Sequence, residues 1–556
     1  MSKGYKGRNS AGGNAVSHNF AMIPQANIQR SVFQRDFTHK TSFDAGYLIP
    51  LFLDEILPGD SFNVKHTIFA RLSTQLYPIM DNLVMDMHYF FVPNRIVWAN
   101  WTKFCGERSD PVDDYDSDTE YLVPNVVVSS GSGVAVGTIL DYFGVPIGVD
   151  GTSVNALPYR GYLKIYNDWY RDQNLIDSRV FNTGDSNDSC TTGGTLAKRC
   201  KRADYFTTAL PWPQKGPGVE LPLGDVAPVK GIGCLTNVWG SGAQDVYEAG
   251  KSATTHYAAT KVINPASNDT QFYVQEDGTT GYPAIYADLS NATAATINSL
   301  RQAFQIQKLY ERDSRGGTRY AEVLMSHFGV RDPQHAVLQR PEFLGGSSGR
   351  VIINSVAQSS ASGLTGGTTK MGALAANATV VCQGGFTKSF TEHGYVFGIM
   401  SVRVDAQVYQ KGLARHFRRS ARFDYYWPAL ANLGEQSILN SEIYYQSPTQ
   451  DTGSTGVYDN DRTFGYQERY AEYRYHPSIV SGKLNSHYST PLDAWHLAQK
   501  DTSLTTLSQA FIEETPPMSR IKAVSTEPDF ICDSHFECKC ARPMPVYSVP
   551  GLIDHF

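Results

Sequence analysis

The sequence predicts a mainly β protein, in which one large antiparallel core carries long loops. Three observations point there. From Phe62 to Thr74 the chain alternates, with Phe62, Val64, His66, Ile68, Ala70 and Leu72 on one face and Asn63, Lys65, Thr67, Phe69, Arg71 and Ser73 on the other. A period of two marks a strand with one buried face. From Leu83 to Val92 apolar residues fill both faces, interrupted only by Asp86 and His88, so this strand is expected to be covered on both sides. Near the C-terminus, Phe530 to Cys540 alternates again. Strands from both chain ends thus frame a long middle, which one core with large excursions explains better than separate domains in a row.

Composition agrees. Only 18% of the 556 residues are charged, 12% are aromatic, and there are 32 Tyr. Low charge with much Tyr, Asn, Gly and Ser fits a loop-rich β protein with wide contact surfaces. A net charge of −6 argues against a nucleic-acid binder along its whole length but leaves room for local basic patches. No apolar run reaches the ~18 residues of a membrane-spanning helix, so no membrane insertion is expected. The N-terminus lacks an apolar signal core, and eight scattered cysteines make no disulfide framework. The expectation is a chain made in a reducing cytoplasm.

Residues 1–35 read as a basic arm. Lys3, Lys6 and Arg8 sit among Gly, Ser and Asn, and no acid precedes Asp36. The functional reading is an arm lying on phosphates, and the plainer one is a polar terminus. Within 36–101, FDAGYLIPLF leads into the two strands, and LYPIMDN connects them. The stretch DPVDDYDSDTE begins like a calcium loop, but Thr119 stands at its glycine position and Asn125 at its closing glutamate, so it reads as a solvated acidic loop. Residues 158–176 place Tyr162, Ile165, Tyr166, Trp169 and Tyr170 near helical spacing, an aromatic stripe for core packing.

Residues 214–283 change texture. They are rich in Gly, Ser, Thr, Ala and Asn, have short apolar runs, and are too long for an ordinary connection. They read as a surface insertion. From Asn291, two helices are predicted, broken at Gly316 and Gly317. SSASGLTGGTTKMGALAANATV reads as a low-complexity loop. Gly394 to Gln410 reads as a strand with Val396, Met400, Val402, Val404, Ala406 and Val408 on one face.

Cys532, His535, Cys538 and Cys540 invite a zinc reading, but strand alternation sets His535 opposite the cysteines, which read better as small buried apolar groups. No nucleophile elbow, Walker loop or dinucleotide fingerprint occurs, so no catalytic residue, cofactor or metal ligand is assigned. The strongest charge pattern is KGLARHFRRSARFDYYWP. On a helix, Arg415, Arg418, Arg419 and Arg422 share one face, a stripe able to hold phosphates, with DYYW beside it for base stacking. The competing reading is a basic patch that is solvated or pairs with acids.

Several long blocks carry a resemblance. FDAGYLIPLFLDEILPGDSFN, PIMDNLVMDMHYFFVPNRIVW, LRQAFQIQKLYERDSRGGTRYAEVLMSHFGV, QRPEFLGG, FDYYWPALANLGEQ, GYQERYAEYRY, TPLDAWHLAQ and RPMPVYSVPGLIDHF run in order through the chain. In these the sequence resembles the major capsid proteins of the gokushoviruses, small single-stranded-DNA phages of the Microviridae. Residues 214–283 match no motif of that family.

The resemblance implies a virion structural protein and no enzyme. It implies an eight-stranded jelly roll begun within 36–213 and completed, after a helical loop region, within 284–556. It implies sixty copies in a T=1 shell around circular single-stranded DNA, assembled in the bacterial host cytoplasm. Residues 214–283 would form three-fold protrusions that meet a host-cell receptor, and a small basic DNA-packing protein would be a further partner. The competing class is a carbohydrate-binding or carbohydrate-active β protein, whose mark would be paired carboxylates in an aromatic cleft.

Overall fold

The computed structural model describes residues 29–107, 121–216 (130 and 132 apart), short stretches between 219 and 287, 297–330, 339–359, 371–405 and 407–547 (455 apart). The chain divides into two compact units, one of residues 1–211 with 332–556 and one of residues 212–331.

The first unit is built on two antiparallel sheets. The strands of these two sheets are β1 (Ser31–Gln34), β2 (Phe37–Phe43), β3 (Ile49–Ile56), β4 (Ser61–Gln75), β5 (Leu83–Pro93), β6 (Glu342–Arg350), β7 (Ile352–Ala357), β8 (Leu374–Ser389), β9 (Gly394–Val404) and β10 (Phe530–Arg542). One sheet runs β1–β10–β4–β8–β7, with β2 also on β10, and the other runs β6–β5–β9–β3. The pairing is nested: β5 with β6, β4 with β8, β3 with β9, β2 with β10. The chain therefore runs out and back along itself. It crosses between sheets at Val351, whose N–H donates to the Leu83 carbonyl at 2.9 Å.

Alternation explains the core. In β4 the six residues from Phe62 to Leu72 on the predicted inner face are buried and the five between them are exposed; Ser73, expected on the outer face, is buried. In β10 Phe530, Cys532, Phe536, Cys538 and Cys540 point inward. These meet Met85, Met87 and Tyr89 of β5 and Phe52 of β3, with the Phe52 and Phe536 rings 5.3 Å apart. His535 lies on the exposed face, so the three cysteines and the histidine do not converge. FDAGYLIPLF is more than a lead-in: it ends β2 and begins β3, with Phe43, Leu48, Ile49, Leu51 and Phe52 all buried.

β5 is covered on both faces, as its composition predicts. Leu83, Met85, Met87, Tyr89 and Phe91 enter the inter-sheet core, and Phe90 and Val92 enter a second cluster outside it. Helix α1 (Ala156–Ile165) roofs that outer cluster with Leu157, Tyr162 and Leu163. Its N-terminus is capped by Asn155, whose side chain accepts from Leu157 N at 2.8 Å. Gly161 lets the helix sit down on β9, since a Cβ there would lie 2.5 Å from Phe397 Cζ. The aromatic stripe then continues through a π turn, Tyr166–Tyr170.

Asp86 and His88 do not pair with each other. Asp86 accepts from Arg199 at 2.7 Å, Ser348 at 2.5 Å and Arg403 at 3.1 Å, while His88 Nδ1 lies 2.8 Å from the Tyr170 hydroxyl. The β9 strand ends at Val404, short of the predicted Gln410. β8 begins at Leu374, inside the expected low-complexity loop.

In the second unit, the helices are α2 (Ile297–Gly316) and α3 (Tyr320–Phe328), parted by Gly317 in the left-handed region at φ 89°. The pair is tied by His327 Nε2, 2.6 Å from Asp313 Oδ1, and Phe304, Leu309 and Phe328 are exposed. Within 214–283, Ile232–Cys234 pairs antiparallel with Phe272–Val274, and Val229–Lys230 pairs with Tyr286–Ala287 just beyond. No described helix is long and apolar enough to cross a membrane.

Candidate functional site

The arginine-rich segment does not form the predicted α-helix. It makes two short 3-10 turns, Arg415–Arg418 and Arg422–Asp424. The reason lies in where its backbone bonds go. Leu413 N donates to Ser441 O at 2.8 Å, and Ser420 N and Ala421 N both donate to the Asp424 carboxylate, at 2.9 and 2.8 Å. Those amides are withheld from helical carbonyls. Gly412 fixes the approach: a Cβ there would lie 2.1 Å from the Glu442 carbonyl oxygen.

Three of the four arginines face acids distant in sequence. Arg415 reaches Glu442 at 3.1 Å and donates to Ser437 O at 2.9 Å. Arg418 pairs with Asp461 at 2.6 Å and also bonds Ser441 Oγ. Arg419 pairs with Glu472 at 3.3 Å and lies over the Tyr473 ring at 4.1 Å. Arg422 instead stacks on Trp427 at 4.7 Å. Burial pushes the Glu442 carboxyl up, against the opposing pull of Arg415. The two backbone N–H bonds from Ala421 and Ser420 hold Asp424 low. The expected single-face stripe is thus a set of three partly buried arginines, each paired with an acid, and one solvent-facing member.

Around it the surface is aromatic. Phe417 is 72% exposed, and Phe423, Tyr425 and Tyr426 are exposed beside it. Two cavities flank the arginines. One of ≈ 590 Å³ is lined by Tyr205, Phe206, Tyr409, Phe417 and Tyr475. The other, of ≈ 220 Å³, is lined by Arg415, Arg418, Arg419, Arg469 and Tyr470. Arg469 and Tyr470 carry no local signal in the sequence; β pairing of Glu435–Leu439 with Thr463–Glu468 brings them to the arginines. Lys3, Lys6, Arg8 and the acidic loop at 110–120 lie outside the described residues.

Glu442 and Glu472 both line the aromatic ≈ 590 Å³ cavity, but each is taken up by arginine. The segment can do two things chemically: offer cations and rings to a polyanion, or offer apolar surface to another protein.

Comparison with known proteins identifies the chain. A model of the family described as capsid protein (F protein) matches residues 21–552. The chain is 42% identical over 551 residues to capsid protein VP1 of Bdellovibrio phage phiMH2K, covering 97% of this chain and 98% of that one. It is 41% identical over 596 residues to capsid protein VP1 of Chlamydia phage 1, with the same 97% and 98% coverage. It is 36% identical over 566 residues to capsid protein VP1 of Spiroplasma virus 4, again covering 97% and 98%. The chain therefore belongs to the capsid protein (F protein) family of the Microviridae, a structural component of the virion that assembles with copies of itself and is not an enzyme.

Proposed function

We propose that the two sheets are an eight-stranded jelly roll and that sixty copies close a T=1 icosahedral shell around a circular single-stranded DNA genome. The observation that carries this is the nested pairing of β2 with β10, β3 with β9, β4 with β8 and β5 with β6. A long hairpin wrapped into two facing sheets is the connectivity of a double Greek key. β1 and β7 are additions at the edges of one sheet.

Assembly uses the apolar surface left open on the single chain. Phe417, Tyr425 and Leu433 are exposed, and closure around symmetry axes covers such patches. The arm with Lys3, Lys6 and Arg8 and the arginine segment face the DNA and meet its phosphates without reading sequence, Arg419 and Arg422 as contacts and Arg415 and Arg418 as the acid-paired frame that holds them. A separate small basic packing protein adds neutralising charge, which accords with a net −6 subunit. Assembly takes place in the host cytoplasm.

Residues 214–283 form the three-fold protrusion and meet a host-cell receptor. The antiparallel ladders between 229–234 and 272–287 support an excursion that leaves and returns along its own path. Deletion of 214–283 tests this part. Particles that form but no longer bind host cells are expected; loss of assembly, or unchanged cell binding, counts against it.

A further inference from the structure

The ≈ 220 Å³ cleft beside the arginine segment holds three buried donor groups with nothing to donate to. Arg419 Nε, Arg469 Nε and the Tyr470 hydroxyl are buried and make no hydrogen bond. Buried polar groups are nearly always satisfied, and each orphan is costly. Three orphaned side-chain atoms thus belong to residues lining this one cleft.

The other features of the cleft say what would satisfy them. All three orphans are donors, and two are on cations, so the fitting ligand is an acceptor with negative charge. Arg469 has no ion pair among the described residues; its one ring contact is with Tyr470, at 5.1 Å. Tyr470 is only 4% exposed, and its backbone is held in the left-handed region at φ 63°, ψ 20°. A non-glycine residue kept there is strained, and such strain gathers at ligand clamps. Two acids also line the cleft, but Glu442 is engaged by Arg415 and Tyr205, and Asp424 by the Ser420 and Ala421 amides. The exposed ring of Tyr426 lies 5.1 Å from that of Tyr470, beside the cleft, where a base attached to a bound phosphate can stack.

We propose that this cleft is a phosphate-binding site that takes a backbone phosphate of single-stranded nucleic acid through Arg419, Arg469 and Tyr470. The source of the phosphate rests on the nucleic-acid contact proposed above; the oxyanion site itself does not. Arg415 and Arg418, pinned by Glu442 and Asp461, act as walls, so the ligands differ from the sequence-predicted stripe.

The test uses the full-length chain. Anisotropy of a labelled oligodeoxythymidine is followed across a salt series for wild type, Arg469→Gln, Tyr470→Phe and Arg422→Gln, with circular dichroism to check folding. Separately, inorganic phosphate is added without oligonucleotide and the thermal midpoint is read. Arg469→Gln should weaken oligonucleotide binding about tenfold and lower the salt slope by about one; Tyr470→Phe should weaken it several-fold. Phosphate should raise the midpoint of wild type by more than that of Tyr470→Phe. If Arg469→Gln and Tyr470→Phe bind like wild type while Arg422→Gln is weakened, the cleft proposal is overturned and the wider nucleic-acid reading stands. If wild type binds no oligonucleotide yet phosphate still acts through Tyr470, the oxyanion site stands and its nucleic-acid source is overturned. If Arg469→Gln binds normally but fails to form particles, the cleft receives a carboxylate of a second copy and the proposal is overturned.

Discussion

Replacing Asp86 by Asn should loosen the outer layer from the sheets. Asp86 is 3% exposed on the outer face of β5, and its carboxylate receives Arg199, Arg403 and Ser348. Arg199 belongs to the segment that bonds Gly46 O and Ser401, so the carboxylate ties that segment to β5 and β9. Asn keeps the shape and the Ser348 bond but leaves two partly buried guanidinium groups without a counter-charge. Breaking a buried pair in this way costs about 3–5 kcal/mol. Burial raises the Asp86 carboxyl, but Ser348, Arg199 and Arg403 outweigh it and hold the group below the usual range. A depressed carboxylate contributes stability above its unfolded value of about 3.9, and the contribution fades as pH falls through the folded value. The loss in Asp86→Asn should therefore be full at neutral pH and shrink below about pH 4. Urea unfolding of the unassembled chain, read by tryptophan fluorescence, measures it, because Trp98 is buried in the same outer cluster. Adding Arg403→Gln to Asp86→Asn should cost less than the two single changes together, since the residues touch. A loss below about 0.5 kcal/mol at neutral pH, the size of an ordinary surface change, would refute the reasoning.

Two further outcomes follow from buried titratable groups. Burial lowers His66 to about 4, and burial together with Arg199 lowers His88 to about 4. Both folded values lie below the unfolded 6.5, so their neutral forms support the fold above that pH and the support is lost as pH falls from 6.5 toward 4. The urea midpoint should drop across that window and drop less in His66→Gln/His88→Gln; parallel pH curves would count against this. Burial also pushes the thiols of Cys532 and Cys538 up, to about 11 and about 12, while Cys105 is exposed. Alkylation mapped by mass spectrometry should mark Cys105 in the native chain and Cys532, Cys538 and Cys540 only after unfolding. Native labelling of the β10 cysteines would place them outside the core.

The elements that could be read from sequence are those whose burial is set by their own period. β4 and β10 alternate because one face meets the core and the other water. β5 is apolar throughout because two clusters share it. β6 and the start of β8 could not be read this way, because glycine and serine dominate the first and alanine the second. Those small residues answer to tertiary approach: a Cβ at Gly349 would lie 2.6 Å from Val381 O, and one at Gly346 would lie 2.8 Å from His88. The arginine segment misleads for the same reason. Helical spacing aligns its four arginines, but the acids that take three of them, Glu442, Asp461 and Glu472, lie 27 or more residues away. Arg469 and Tyr470 become part of the site only through the pairing of Glu435–Leu439 with Thr463–Glu468. Membership of the capsid family was legible because long blocks recur in order; the ligands of the cleft were not, because they belong to the folded arrangement.

The central claim is that this chain is a jelly-roll subunit of a closed shell. Electron cryomicroscopy of particles assembled from the full-length chain tests it most directly. The account predicts a T=1 shell of sixty copies, with β2–β10–β4–β8 facing β3–β9–β5–β6 in each subunit, residues 214–283 outermost and the Arg469 cleft turned toward the genome. An open lattice, a persistent monomer, or a shell carrying 214–283 on its inner face would contradict it.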